Sequence, residues 1–222
     1  MYRQLKLFDV KEGHSYQCSD YILLEDNKHT YNLLMNNDTW NCFLLYGKPG
    51  SGKTHLAHIW QELKRAVFIT YDVISSSINA IYRSNAVIIE DIDSPIDESW
   101  VFHCYNYAKE IGRPLLMTSS TPPNHIDYKL KDLKSRIVST MSASLADPTE
   151  ELLRIALVKL FTNLQMHTDA KTINYILNNT ERSFKKISDI VNLIYTELPG
   201  SASGVTIPFV RSILRRGGAQ FV

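Results

Sequence analysis

The sequence lacks the features that mark several large classes of protein. Its 24 basic and 23 acidic residues leave a formal net charge of only +1, so the chain as a whole does not carry the basic field of a stand-alone nucleic-acid-binding protein. It has no apolar run near the roughly 20 residues that a membrane helix needs, and its start has no apolar secretory stretch. We therefore expect a soluble, cytoplasmic protein that does not bind membranes and contacts DNA only indirectly.

Cysteine is also scarce. The three cysteines, Cys18, Cys42 and Cys104, are widely separated and form no C-x-x-C pair, and none of the seven histidines has metal-ligand spacing. We interpret them as reduced thiols of a reducing compartment. The 222 residues, 44% hydrophobic and 21% charged, suffice for one α/β domain and a smaller helical one.

The most informative segment is a phosphate-binding loop of the form G-x-x-x-x-G-K-T. It directly follows the apolar run 42–46 and precedes a helix predicted over 55–63, which is the strand, loop and helix order that phosphate binding requires. The order argues against a chance match in a glycine-rich loop. Lys53 is predicted to bind the β- and γ-phosphates of ADP or ATP, and the Thr54 hydroxyl to bind Mg²⁺. The predicted loop residues are Gly47, Lys48, Pro49, Gly50, Ser51, Gly52, Lys53 and Thr54.

Two acids supply the second half of this site. Glu90 and Asp91 follow the apolar run 86–89, where uncompensated carboxylates would be costly. We predict that they hold the Mg²⁺ shell and orient the attacking water. A solvated turn is the alternative. The order Glu then Asp leaves hydrolysis less certain than binding.

Short apolar strands alternate with helices through the first two thirds of the chain. Besides 42–46, strands are predicted at 66–71, 86–89 and 115–118, and helices at 27–35, 73–81 and 98–111, with a turn at Pro122 and Pro123. This alternation predicts an α/β fold, a parallel sheet with helices on both faces.

The strands stop near residue 147. A helix start with Asp147 as the capping residue and Pro148 in the first turn is followed by helices predicted at 170–177 and 183–198. A glycine- and serine-rich linker over 199–204 precedes a last helix, capped by Thr206 and ending at Arg215. We therefore divide the chain into a tail (1–15), a nucleotide-binding α/β domain (16–146) and a helical lid domain (147–222).

Several weaker segments, in this order around the phosphate loop, resemble the AAA+ ATPases of the DnaA/Hda family, most closely its short regulatory members. They are the segments 21–27, where Leu24 replaces a common glycine, 100–106, 118–123, 133–136, 181–184 and 206–210. The resemblance covers nearly the whole chain. It implies an AAA+ sheet domain and an all-α lid.

The resemblance also implies roles for individual residues. Ile22 and Asn27 would belong to the adenine pocket, and Ser120 to the sensor-1 turn, where the initiator usually has an acid. Arg136 would be an arginine finger that reaches the γ-phosphate of another chain, and Arg182 a sensor-2 residue of the lid. A plain surface role is the alternative for both arginines.

The start of the sequence resembles a sliding-clamp-binding peptide. Gln4 would be hydrogen-bonded in the clamp, while Leu5, Leu7 and Phe8 would fill an apolar cleft as a short linear anchor. The alternative is that these apolar residues pack onto the domain itself.

Together these features predict a regulator that binds ADP or ATP with Mg²⁺, docks on the sliding clamp and promotes ATP hydrolysis by the initiator DnaA. Its own ATPase activity would be weak. Because the sequence ends at Val222, we expect no origin-reading helix-turn-helix domain. A stand-alone ATPase such as a helicase loader, and a non-hydrolytic DnaA-binding adaptor, stay open as alternatives, as does self-association.

Overall fold

The computed structural model describes residues 21–36, 40–71, 73–198 and 204–216. Gln4, Leu5, Leu7 and Phe8 of the predicted clamp-binding tail lie outside the described residues, as do Cys18 and most of the predicted linker. Cys42 and Cys104 are free thiols in the core, as expected. Within the described ranges, no helix combines the length and the apolar content that crossing a bilayer would require.

A five-stranded parallel sheet forms the centre of the first domain. Its strands lie in the order β2-β3-β4-β1-β5, so the phosphate-loop strand β1 lies between β4 and β5. Three of the strands end in residues of the candidate site, which brings those residues to one edge of the sheet. The strands are β1 (Cys42–Tyr46), β2 (Ala66–Phe68), β3 (Ala86–Ile89), β4 (Leu115–Ser119) and β5 (Met141–Ser144).

Helices cover both faces of the sheet, as predicted. Alternate strand residues point to opposite faces: Leu44 joins one buried cluster and Phe43 the other. Helices α1 (Glu25–Met35) and α2 (Lys53–Lys64) pack on the Phe43 face. Helices α3 (Ile74–Arg83), α4 (Glu98–Glu110) and α5 (Lys131–Ser139) pack on the Leu44 face.

The remaining described elements form a helical unit with its own apolar core. These are α6 (Glu150–Asn163), α7 (Ala170–Asn178), α8 (Phe184–Glu197) and α9 (Ile207–Arg216). Polar side chains cap three of them: Thr149 caps α6, Asp169 accepts a hydrogen bond from Thr172 N, and Ser183 accepts one from Lys186 N. The helical lid predicted from residue 147 onward is therefore present.

Some predicted elements differ in detail. The cap predicted at Asp147 is wrong: Thr149 caps α6 by accepting a hydrogen bond from Leu152 N at 3.3 Å, and Asp147 instead pairs with Lys48. The strand predicted at 66–71 ends at Phe68, because only its first residues pair with β3 as a strand. Helix α5 and strand β5 were not predicted.

Candidate functional site

A cavity of about 810 Å³ lies between the carboxyl edge of the sheet and the lid. Its volume is in the range of small-molecule and cofactor sites. Eight of the predicted site residues line it: Ile22, Pro49, Gly50, Gly52, Lys53, Thr54, Asp91 and Ser120. The lid contributes residues from α6 and α8, so the site is shared between the two domains.

The loop between β1 and α2 adopts a conformation that requires glycine. Gly50 and Gly52 have φ angles of 80° and 103°, in the left-handed region. At Gly47 a Cβ atom would lie 2.4 Å from the backbone oxygen of Leu145, so a side chain cannot be accommodated. Helix α2 begins at Lys53, and its first residues line the cavity, where the N-terminus of a helix favours an anion.

The Lys53 ammonium lies inside this loop. Its Nζ donates hydrogen bonds to the backbone oxygens of Gly47, at 2.6 Å, and Lys48, at 3.0 Å. Burial lowers the pKa of Lys53, while the nearby carboxylates of Asp91, Asp93 and Glu90 act to raise it. A buried lysine ammonium at this position can form strong, charge-assisted hydrogen bonds with phosphate oxygens.

Thr54 lines the cavity and is hydrogen-bonded to Glu90, which does not line it. The Thr54 hydroxyl donates a hydrogen bond to Glu90 Oε1 at 2.8 Å, which joins the start of α2 to the end of β3. A hydroxyl and a carboxylate, completed by nucleotide phosphates, form the oxygen ligand set that Mg²⁺ prefers in nucleotide sites. Within the part of the chain that is described, no cluster of three or more His, Cys, Asp or Glu side chains could hold a metal on its own. The residues present therefore fit a nucleotide-bound Mg²⁺.

Asp91 follows in an uncommon backbone conformation. Its φ is 51°, which Asp tolerates better than most residues, and its N–H donates to the Thr118 hydroxyl at 2.9 Å. The carboxylate of Asp91 lines the cavity. Lys53, Thr54, Glu90 and Asp91 thus lie near one another at this edge of the sheet, while their roles in binding Mg²⁺ and in hydrolysis stay predictions.

Ser120, for which the resemblance implies a sensor-1 role, has an acidic neighbour that the sequence analysis missed. Ser120 N donates to both carboxylate oxygens of Asp93, at 3.1 and 3.0 Å, and both residues line the cavity. Asp93 follows β3 by only a few residues and so reaches the same sheet edge. The position of Asp93 shortly after the apolar run 86–89 could have indicated that it belongs to the site.

The apolar end of the cavity has residues from both domains. Tyr21 and Ile22 line it on one side, and Ala156, Leu160 and Ile187 line it from the lid. Asn27 does not line the cavity but holds this wall in place: its amide donates to the Ile22 oxygen and accepts from Leu24 N, each at 2.9 Å. An apolar slot beside a phosphate loop has the chemistry needed to bind a nucleobase.

The lid is bound directly to the phosphate loop. Phe184 N, at the start of α8, donates to the Gly50 oxygen at 3.1 Å, and a Cβ at Gly50 would lie 2.6 Å from the Ser183 Cβ. Lys48 forms an exposed ion pair with Asp147 at 2.5 Å. Ser51 is buried, and its hydroxyl has no hydrogen-bond partner among the described residues.

Arg182 does not reach the cavity in this structure. Its guanidinium pairs with Glu150 at 3.2 Å on the lid, and 68% of its side chain is exposed. Two lysines of the lid, Lys159 and Lys185, line the cavity instead. Lys185 is near the start of α8, on the same face as Ser188, whereas Arg182 precedes the helix.

Arg136 lies outside the cavity of its own chain. It is on α5, half-buried, with its guanidinium carbon 5.1 Å from the ring centre of Phe102 and 5.9 Å from that of Tyr105. Both rings belong to α4. Among the described contacts of Arg136, none is with Lys53, Glu90 or Asp91. Arg136 is therefore separate from the nucleotide cavity of its own chain.

Comparisons with known proteins agree with this geometry. No family profile matches the chain. The chromosomal replication initiator protein DnaA of Helicobacter hepaticus is 22% identical over 229 aligned residues, which cover 90% of this chain and 50% of that protein. The chain spans about half the length of the DnaA relatives it matches.

Solved structures share the fold. Domain III of Thermotoga maritima DnaA superimposes with a TM-score of 0.78, at 16% identity, over 90% of this chain and 96% of that one. AMPPCP-bound DnaA of Aquifex aeolicus gives a TM-score of 0.67 at 18% identity, over 83% of this chain and 66% of that one. The chain thus has the AAA+ fold seen in domain III of DnaA, and its sequence is similar to that of DnaA initiators.

Proposed function

We propose that this chain is an Hda-like regulator of chromosome replication. It binds ADP or ATP with Mg²⁺, docks on the sliding clamp through its tail, and presents Arg136 to the ATP of the initiator DnaA. Hydrolysis of that ATP inactivates the initiator and prevents a second round of initiation.

The main support for the proposal is the separation of two features on one chain. The cavity has a phosphate loop, a lysine and two acids, while Arg136 is on a different surface and is fixed against α4. A cation that does not line the nucleotide cavity of its own chain is suited to act on the nucleotide of another chain. The sequence similarity to DnaA suggests that this other chain is DnaA.

The test is single-turnover hydrolysis of ATP bound to DnaA, with the sliding clamp loaded on DNA. Addition of the chain should accelerate hydrolysis, and clamp without DNA or chain without clamp should give less acceleration. An unchanged rate under all conditions would refute the regulatory role and favour an adaptor that recruits DnaA without hydrolysis.

For the nucleotide, we propose that Lys185 is the lid cation that contacts the phosphates. Lys185→Ala should weaken the affinity for ADP by about tenfold, as expected for loss of one charge-assisted contact, whereas Arg182→Ala should leave it unchanged. Titration calorimetry of both variants measures this. If Arg182→Ala has the larger effect, the lid rearranges on binding and the family-implied role of Arg182 is correct.

The tail prediction is also testable. Replacing Leu7 and Phe8 together with alanine should abolish capture of the chain by immobilised sliding clamp, because the two apolar side chains supply most of the anchor. Nucleotide affinity should not change. Undiminished capture would mean that these residues pack on the domain instead of the clamp.

A self-assembling ATPase is the second candidate, favoured by Lys53, Thr54 and Asp91 in one cavity, with Glu90 hydrogen-bonded to Thr54. Such an enzyme should hydrolyse ATP alone, with a specific activity that rises with its own concentration. It should lose this activity on Arg136→Ala. A regulator that acts on DnaA should show little turnover without its partner at any concentration.

A further inference from the structure

The segment that leads into α5 is held by a carboxylate from another helix. Glu98, in the first turn of α4, accepts hydrogen bonds from Lys129 N at 3.1 Å and Leu130 N at 2.7 Å, one on each carboxylate oxygen. Leu130 is the residue before α5, and no side chain caps that helix. Glu98 therefore provides the polar contact that fixes the start of α5.

The other end of α5 is held by the same helix. Tyr105 of α4 forms a hydrogen bond with the Thr140 hydroxyl at 3.3 Å, and that hydroxyl donates to the Arg136 backbone oxygen at 2.8 Å. Arg136 stacks over the Tyr105 ring and the nearby Phe102 ring. The helix α4 thus contacts α5 at its start, at its end and at the Arg136 side chain.

These contacts have a consequence for Arg136. Its guanidinium rests on rings of α4, while its Cα belongs to α5, so its direction depends on how the two helices are aligned. The apolar contacts of Leu133 and Ile137 bury one face of the helix, and the two hydrogen bonds to Glu98 add directional contacts that fix its start. A displacement of about 1 Å at a reacting group can cost about 100-fold in rate.

We propose that Glu98 is a positioning residue for Arg136. It holds the start of α5 at the alignment in which the guanidinium stacks on Phe102 and Tyr105 and is presented to the nucleotide of the partner chain. This inference rests on the proposed function, because Arg136 acts there on DnaA-bound ATP, but the stacking of Arg136 can be measured without any partner.

The test uses Glu98→Gln in the full chain. The amide keeps the size of the side chain but replaces one acceptor with a donor, which then faces a backbone N–H. The first readout is the chemical shift of the Arg136 Nε–H resonance in a ¹H–¹⁵N spectrum, which is assigned by its absence in Arg136→Lys. In the wild-type chain, the two aromatic rings should displace this resonance from the position of a solvated arginine. In Glu98→Gln it should move toward the position of a solvated arginine.

The second readout is hydrolysis of DnaA-bound ATP. The maximal stimulated rate should fall about 10- to 100-fold, while the chain concentration that gives half-maximal stimulation and the affinity for ADP stay within about twofold of wild type. Glu62→Gln, which removes an exposed charge from α2, should change neither readout. Tyr105→Phe, which keeps the ring and removes the hydroxyl at the other end of α5, should cause a smaller change in both. Glu98→Asp, which keeps the charge but shortens the side chain, carries the test if Glu98→Gln does not fold.

An unmoved Arg136 resonance in the Glu98 variant would overturn the inference, as would a moved resonance with an undiminished stimulated rate. If wild-type chain gives no stimulation at all, the proposed function fails, and the resonance alone then decides whether Glu98 positions Arg136.

Discussion

Replacing Lys53 with alanine should abolish the rise in melting temperature that ADP or ATP gives to the wild-type chain. A ligand at 100 times its Kd stabilises the native state by about 2.7 kcal/mol, which for a chain of this length corresponds to a shift on the order of 5–10 °C. Lys53 is the charge at the centre of the phosphate loop, with its ammonium already held by the oxygens of Gly47 and Lys48. Without it the loop keeps its N–H groups but loses the cation that neutralises the phosphates.

The ligand-free protein should be affected much less. Lys53 is buried and burial lowers its pKa, so its removal eliminates a desolvated charge together with two hydrogen bonds. Lys53→Met keeps the apolar stem and serves as the sterically matched variant. Both should show a ligand-free melting temperature near that of wild type and no nucleotide-dependent shift in differential scanning fluorimetry.

Lys64→Ala is the control, because Lys64 is in the last turn of the same helix, α2. It should retain the full nucleotide-dependent shift. If Lys53→Ala retained it too, the nucleotide would bind elsewhere and the assignment of the cavity would be wrong.

Sequence reasoning identified the parts of this site that are contiguous in the chain. The phosphate loop and the pair Glu90 and Asp91 each follow an apolar run, so periodicity and residue type were enough to place them at one sheet edge. The hydrogen bond between Thr54 and Glu90 follows from the parallel sheet, in which the carboxyl ends of all strands lie at one edge, so that residues after β1 and β3 can meet although β4 lies between these strands.

The lid side of the site could not be predicted in the same way. Helical periodicity identifies which residues of α8 share a face, but the docking of that helix on Gly50 decides which face meets the cavity. Arg182 and Lys185 differ by less than one helical turn, yet Ser183 caps the helix between them, so only Lys185 is inside α8 and lines the cavity. The cap at Thr149 instead of Asp147 is a similar case, since both side chains can cap and the backbone decides.

Helix α5 was missed for a different reason. It has few apolar residues, and its position depends on contacts from α4, among them the carboxylate of Glu98 and the hydroxyl of Tyr105. Such long-range contacts have no local sequence pattern. The resemblance of segment 133–136 indicated Arg136, but not that two aromatic rings hold it.

Arg136→Ala should remove nearly all of the stimulation of DnaA-bound ATP hydrolysis. An arginine supplied from another chain contributes about 10³- to 10⁵-fold to the rate of nucleotide hydrolysis, because it neutralises charge that develops in the transition state. The affinity of the chain for the ADP or ATP in its own cavity should be unchanged, since Arg136 does not line that cavity. The measurement is the single-turnover rate with saturating chain and DNA-loaded clamp.

Two matched variants separate the role of the guanidinium from that of charge and packing. Arg136→Lys keeps the charge but lacks the planar fork that contacts phosphate oxygens in pairs and stacks on Phe102 and Tyr105, so it should recover only a small part of the rate. Arg83→Ala removes an exposed arginine from α3 and should retain full stimulation. Full activity of Arg136→Ala would exclude the finger role, while loss of activity together with loss of DnaA binding would make Arg136 a docking residue instead of a group that acts on the reacting phosphate.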